Sequence, residues 1–285
     1  MVPAPPRTEP APWTSGAGRV RPRGRLFLWR QSRRAPLNRP MFVLTLDGGV
    51  ARLRLDRPEA RNAIPVSGWQ ELSSACTAAA AGGARVLIVS GGRQAFCAGA
   101  DLADFPALTD DPAAATAFRE KMRAGLDILA GLPIATIAAV EGPCYGAGVA
   151  LAMACDIRVA GEGARFAITP AKFGISYPQQ DVARLVALVG PGQASRLLLG
   201  AGTIDSAEAA RIGLVELWAA DAGQAAEALA AAILANSGES IAALKRAIRL
   251  AAEGAAGDED QDRGFDALFG SSDFRARLEA LRPRR

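Results

Sequence analysis

Twice in this chain an apolar run ends in a turn of small residues that opens onto a helical pattern. RVLIVS at 85–90 leads to FCAGADL, and IATIAAV at 134–140 leads to GPCYGAGVALAMACD. Each run reads as a buried strand, and strands that alternate with helices imply an α/β core. Ahead of them, MFVLTLDGGVARLRLDRP from Met41 has two β-rich runs flanking Asp47-Gly48-Gly49, the pattern of a hairpin. Helices are expected near 66–81 and 113–131, and a further strand at 157–160. From about 192 onward the signal is nearly all helical and alanine-rich, as in AAEALAAAILANS and IAALKRAIRLAAEG. The expected division is an α/β core at 41–195 and a helical packing or assembly region at 196–285.

The first forty residues differ in kind. They hold eight of the eighteen prolines and nine arginines against one acid, Glu9. Such a segment buries too little apolar surface to offset its ordering entropy, so residues 1–40 are expected to be disordered. They are either an over-long gene model ahead of a start at Met41 or an Arg-rich targeting leader. Their surplus of +8 within a chain total of +4 leaves residues 41–285 at −4, so the basic pI is no argument for nucleic-acid binding.

Other classes are excluded by what the chain lacks. No apolar run reaches the length of a membrane span, and a cytoplasmic location is expected. The sequence contains no histidine, which removes the usual zinc ligand and any Ser-His or Cys-His pair. Cys76, Cys97, Cys144 and Cys155 lack the CxxC spacing of a metal site and lie in apolar segments, where small buried thiols are common. Cys97 and Cys144 flank the two small-residue turns without a nearby base, so packing is their expected role. Chemistry must come from carboxylates, tyrosine, lysine or the main chain.

The main chain offers a specific device. In Ala98-Gly99-Ala100 and Gly146-Ala147-Gly148 the small side chains let a ligand approach the backbone, and amides at a helix start are unpaired. Two such amides converging on one oxygen make an oxyanion hole. Neither turn has the GxGxxG spacing of a dinucleotide site.

Taken with LDRPEARNAI at 55–64, AFCAGADL at 95–102, VEGPCYGAGVALAMACDIRVA at 140–160 and RIGLVE at 211–216, the chain resembles the crotonase superfamily, the enoyl-CoA hydratase/isomerase family, over about residues 42–275. The resemblance implies a crotonase-like α/β spiral of ββα repeats with a C-terminal helical trimerisation region, assembled as a homotrimer or as a hexamer of two stacked trimers. It implies an acyl-CoA substrate, with coenzyme A entering as part of that substrate and no separate cofactor or metal. By motif, the thioester oxygen would be held by the amides of Ala100 and Ala147, with Gly99, Asp101, Gly146 and Gly148 shaping the cradle. Ala60 to Ala63 resembles the adenine-nucleotide contact, with Arg57 and Arg61 as phosphate partners or as solvated loop charges.

The chain then departs from the pattern. The family's hydratases carry two glutamates, one a helical turn after the oxyanion amide, which here is Ala150, and one after a proline, which here is Ala171, or Pro170 if Phe166 anchors the comparison. A positioned acid or base contributes about 100- to 10,000-fold, so ordinary enoyl-CoA hydration is not expected. The nearest acids, Glu141, Asp156, Glu162 and Asp181, are expected to serve as caps or ion-pair partners. ITPAKFGISYP resembles the corresponding segment of methylmalonyl-CoA decarboxylases, in which Tyr177 would orient a substrate carboxylate, although those enzymes place histidine where this chain has Ala100. Lys172 either neutralises a carboxylate or CoA phosphate or points outward. Three readings stand: an enolate-stabilising acyl-CoA enzyme, a malonyl-type decarboxylase, and an acyl-CoA-binding protein without chemistry.

Overall fold

In a computed structural model of the chain, residues 40–109 and 111–281 are described; the expectations for residues 1–39 lie outside them. The first hairpin pairs β1 (Phe42–Asp47) with β2 (Val50–Leu55) in antiparallel register, Asp47 opposite Val50. Gly48 and Gly49 both have positive φ, 56° and 81°, the two left-handed positions of a tight hairpin turn.

Helix α1 (Gly68–Ala81) leads to β3 (Val86–Ser90), the short α2 (Pro106–Thr109), α3 (Pro112–Gly131) and β4 (Ala135–Val140). Next come β5 (Pro143–Tyr145), α4 (Ala147–Met153), β6 (Ile157–Gly161), β7 (Arg165–Ala167) and α5 (Gln179–Gly200). The chain closes with β8 (Ile204–Asp205), α6 (Ser206–Arg211), β9 (Leu217–Ala219), α7 (Ala222–Leu234), α8 (Gly238–Ala252), α9 (Glu259–Phe269) and α10 (Ser272–Ala280).

The main sheet has the order β1-β2-β3-β4-β6-β9, parallel from β2 onward, and a small second sheet has the order β5-β7-β8. Successive residues of β3 and β4 face two different cores. Leu87, Val89, Ala138 and Val140 join α1, α3 and α4 on one side, while Val86, Ile88, Ile137 and Ala139 meet Ala222, Ala226 and Ala230 of α7 on the other. A parallel strand covered on both faces must be apolar throughout, which is why RVLIVS and IATIAAV show no alternation.

The expected strands and helices up to β6 are present, displaced by a residue or two at their ends. Beyond 195 the outcome is richer than a helical signal suggests. The point between 195 and 196 falls inside α5, β8 and β9 extend the two sheets, and α7 covers the main sheet. These strands are two and three residues long, too short for a period to register.

Candidate functional site

The site is assembled from three loops stacked edge to edge. In the first, Arg61 and Asn62 adopt left-handed backbone, with φ of 51° and 58°, unusual outside glycine. Asn62 accounts for the conformation. Its side chain is buried, accepts from the Arg57 amide at 2.9 Å and donates to the carbonyls of Ala95 and Phe96 at 2.9 and 3.2 Å. The loop is thereby lashed to the second one, and the Ala98 amide donates to the Arg61 carbonyl, the Ile64 amide to Gly99 and the Asp101 amide to Ile64. Asn62 was not singled out in the sequence; an Asn directly before a buried apolar pair was the available signal.

The second loop docks on the third by the same means. The Cys97 amide donates to the Pro143 carbonyl, and the Tyr145 amide donates to the Cys97 carbonyl at 2.9 Å. A Cβ on Gly148 would lie 2.6 Å from that same Cys97 carbonyl oxygen, so only glycine permits the approach. Gly146 turns the chain with φ 49° and ψ −115°, a conformation closed to other residues, and its amide donates to Ala167 in β7.

The two small-residue turns are therefore in contact, with the Cβ position of Gly99 3.7 Å from the Ala147 nitrogen. The amides of Ala100 and Ala147 flank this junction, both residues partly exposed. Among the described residues neither N–H has an acceptor, although their neighbours Gly99, Asp101, Gly146 and Val149 all donate. Two adjacent backbone donors left without partners at a surface junction can hold one anionic oxygen.

The side chains around this junction sort themselves clearly. Arg57 donates to Asp101 at 2.9 Å and to the Ala63 carbonyl at 2.8 Å, so it ties the first two loops together. Asp101 also accepts from the Ala103 amide as a helix cap. Arg57 and Asp101 thus hold the two loops together in this structure, and Arg61 is the exposed guanidinium. Ala60 ends the turn Pro58–Ala60, and Ala63 is buried behind it. Lys172 and Ala171 lie exposed on the turn Pro170–Phe173. Ala150 is wholly buried, one turn along α4 from Ala147.

Tyr177 is hydrogen-bonded to the third loop. Its hydroxyl donates to the Gly146 carbonyl at 3.0 Å and lies beside the Ala150 amide, and its ring packs on the core around Ala150. Burial first, then the charge of Asp181, holds its phenol well above the ordinary tyrosine value, so it stays protonated. Burial likewise pushes the Cys97 thiol up to about 12 and the Cys144 thiol well above its usual value, so neither supplies a thiolate.

Of the four nearby acids, three are accounted for. Glu141 accepts from the Ala222 amide at 2.7 Å and caps α7; Asp156 accepts from Thr136 and pairs with Lys245 at 2.8 Å; Glu162 is exposed on a turn. Asp181 is wholly buried. Its Oδ1 faces Arg123 at 3.2 Å and Arg184 at 3.4 Å, and among the described residues its Oδ2 has no hydrogen-bond partner. Among the described residues no group of three His, Cys, Asp or Glu is placed to hold a metal, and no helix is long and apolar enough to cross a membrane.

Known proteins share this arrangement of elements. A family model described as enoyl-CoA hydratase/isomerase matches residues 45–275. The probable enoyl-CoA hydratase echA6 of Mycobacterium tuberculosis is 33% identical over 190 residues, covering 64% of this chain and 75% of its own length. Among solved structures, a candidate enoyl-CoA hydratase/isomerase family protein from Hyphomonas neptunium aligns with a TM-score of 0.81 and 35% identity, over 85% of this chain and 96% of that one. A candidate enoyl-CoA hydratase from Thermobifida fusca, solved in complex with CoA, aligns with a TM-score of 0.72 and 32% identity, over 85% of this chain and 94% of that one.

Proposed function

The chain belongs to the enoyl-CoA hydratase/isomerase family, and from that premise we propose that it binds an acyl-CoA thioester and stabilises its enolate between the Ala100 and Ala147 amides, without the two glutamates of the family's hydratases. The observation that carries this reading is the pair of unpartnered N–H groups at the contact of the two turns. A thioester oxygen that gains charge as an enolate forms is held more strongly by such donors than the neutral carbonyl is, so the junction favours the transition state over the substrate. Arg61, exposed at the outer loop, is positioned to meet the CoA phosphates. The complex of the Thermobifida fusca relative with CoA supports this ligand class.

Acid–base help is what the site lacks at the familiar positions. Ala150 and Ala171 carry no proton, and Pro170 carries none either. A malonyl-type thioester would need less of it, because the C–C bond that breaks on loss of CO2 leaves its electron pair on the α-carbon and gives the enolate directly. The Tyr177 hydroxyl, which donates to the Gly146 carbonyl next to the Ala147 amide, is the side chain this second reading would use. The chain is further proposed to assemble as a homotrimer or hexamer through its C-terminal helices.

The test offers the full-length chain crotonyl-CoA, methylmalonyl-CoA and a non-hydrolysable acyl-CoA thioether. The expected result is tight thioether binding with crotonyl-CoA hydration at least about 100-fold below that of a glutamate-bearing relative. Ala147→Pro deletes one donor at the first helical position, where proline is tolerated, and is expected to lower turnover about 100- to 1,000-fold. Rapid hydration of crotonyl-CoA would overturn the missing-glutamate reading. Binding without turnover of any thioester would make the chain an acyl-CoA-binding protein, and CO2 release unchanged in Tyr177→Phe would remove Tyr177 from the decarboxylase reading.

A further inference from the structure

Helix α3 carries Arg119, Glu120, Lys121, Arg123 and Asp127. Arg119 pairs with Glu120 and Arg123 with Asp127, whereas among the described residues the Lys121 ammonium has neither an ion-pair partner nor a hydrogen-bond acceptor. Three and four positions away along the helix lie Ala117, Phe118, Ala124 and Gly125, so α3 itself supplies no acid. A lysine on a polar, solvated face would call for no partner. Lys121 instead borders an apolar cleft of about 330 Å³ between α2, α3 and the segment at Val66, with Val66, Leu108, Ala117 and Phe118 among its walls. That volume falls within the roughly 300–1,000 Å³ usual for small-molecule sites.

The cleft adjoins the cradle. Ala100 is bridged to Ile64, and the Asp101 amide donates to the Ile64 carbonyl. From this bridge both segments run into the cleft wall, Val66 two residues after Ile64 and Asp104 four after Ala100, and the Val66 amide donates to Asp104 Oδ2 at 2.7 Å. Two residues of chain reach at most about 7 Å, so the cleft begins beside the Ala100 amide. We propose that it receives the acyl chain and that Lys121 selects a chain ending in a carboxylate, making the substrate a CoA thioester of a dicarboxylic acid. The methylene groups leave water against the apolar walls, and the terminal carboxylate accepts a charge-assisted hydrogen bond from Lys121. A methyl terminus leaves the ammonium unmatched, and an amine terminus meets a like charge. Asp104, the other charge in the cleft, is engaged by the Val66 amide and forms no ion pair with Lys121.

This inference rests on the acyl-CoA reading above and names its substrate class, and the experiment separates the two. Non-hydrolysable CoA thioethers are titrated by calorimetry in length-matched pairs: butanoyl with succinyl, hexanoyl with adipoyl, octanoyl with suberyl, and ε-aminohexanoyl beside the second pair. In at least one pair the carboxylate-tipped ligand is expected to bind about tenfold more tightly to wild type, the worth of a hydrogen bond to a charged group. Lys121→Met is expected to bring that pair within about twofold while leaving the methyl-tipped ligand unchanged, and Lys121→Arg to keep the preference. Ala117→Leu, which narrows the cleft, is expected to weaken the octanoyl and suberyl ligands more than the butanoyl and succinyl ones. No preference in any pair, a preference that survives Lys121→Met, or chain-length behaviour untouched by Ala117→Leu would each overturn the proposal. Tighter binding of the amine-tipped ligand would also overturn it and assign the cleft to Asp104. Lys121 and Ala117 are exposed, and circular dichroism checks that their variants fold. Failure of wild type to bind any of the thioethers would instead sink the acyl-CoA reading itself.

Discussion

One methyl group separates contact from clash at Gly148, whose Cβ would sit 2.6 Å from the Cys97 carbonyl oxygen and 2.8 Å from the Cys97 Cβ. Both are rigid parts of a buried loop, so neither can swing aside. Gly148→Ala is expected to push the two turns apart, lower stability by about 1–3 kcal/mol, and weaken acyl-CoA binding together with stability. Urea denaturation and thioether titration of the same sample check this; a variant that keeps its stability and loses only binding would place Gly148 at the ligand instead. Asn62 works at the same scale by a different route, because its three hydrogen bonds hold a backbone that non-glycine residues avoid. The sequence marked Gly148 by its place in a small-residue turn. It gave no comparable mark to Asn62, two of whose three partners lie 33 and 34 residues away.

At the scale of elements, α7 is attached to the sheet through a join that its own alanine-rich sequence does not disclose. Glu141 leaves the end of β4, passes over β6 and accepts from the first amide of α7; its carboxylate occupies the space where a Cβ on Gly161 would stand. Gly161→Ala is therefore expected to displace Glu141 from the cap and cost about 1–2 kcal/mol, whereas Gly163→Ala, with open space at its Cβ, should cost less. Thermal melts of the two variants side by side make the comparison. The existence of α7 was legible because alanine favours helix. Its position was not, since the stripe Ala222, Ala226, Ala230 suits any flat apolar surface, and only the second face of the sheet made one available.

At the scale of the molecule, the last three helices carry an apolar face that the described residues leave open. Ile248, Phe265 and Phe269 are 71%, 61% and 58% exposed, and the rings of Phe265, Phe269 and Phe274 stack edge to face at 5.3 and 5.4 Å. Exposed apolar surface of this kind is the mark of an interface, and the proposed trimer would cover it. Phe265→Asp combined with Phe269→Ser is expected to shift the chain from a trimer or hexamer to a monomer in sedimentation equilibrium, while the secondary structure persists by circular dichroism. An unchanged mass would exclude this face as the contact.

The sequence alone determined the α/β core, the hairpin and the two small-residue turns, because each is written in patterns a few residues long: apolar runs, paired glycines, helix starts. It also puts alanine at 150 and 171, and an alanine bears no titratable proton in any fold. Tertiary structure decided how the charges are used. Arg57 and Asp101 lie 44 residues apart and Glu141 and Ala222 lie 81 apart, yet each pair is in contact, while Asp181 is shut away against Arg123 and Arg184. Whether a charged side chain is a cap, a tie or an available acid depends on which distant groups share its surroundings, and local sequence does not record that.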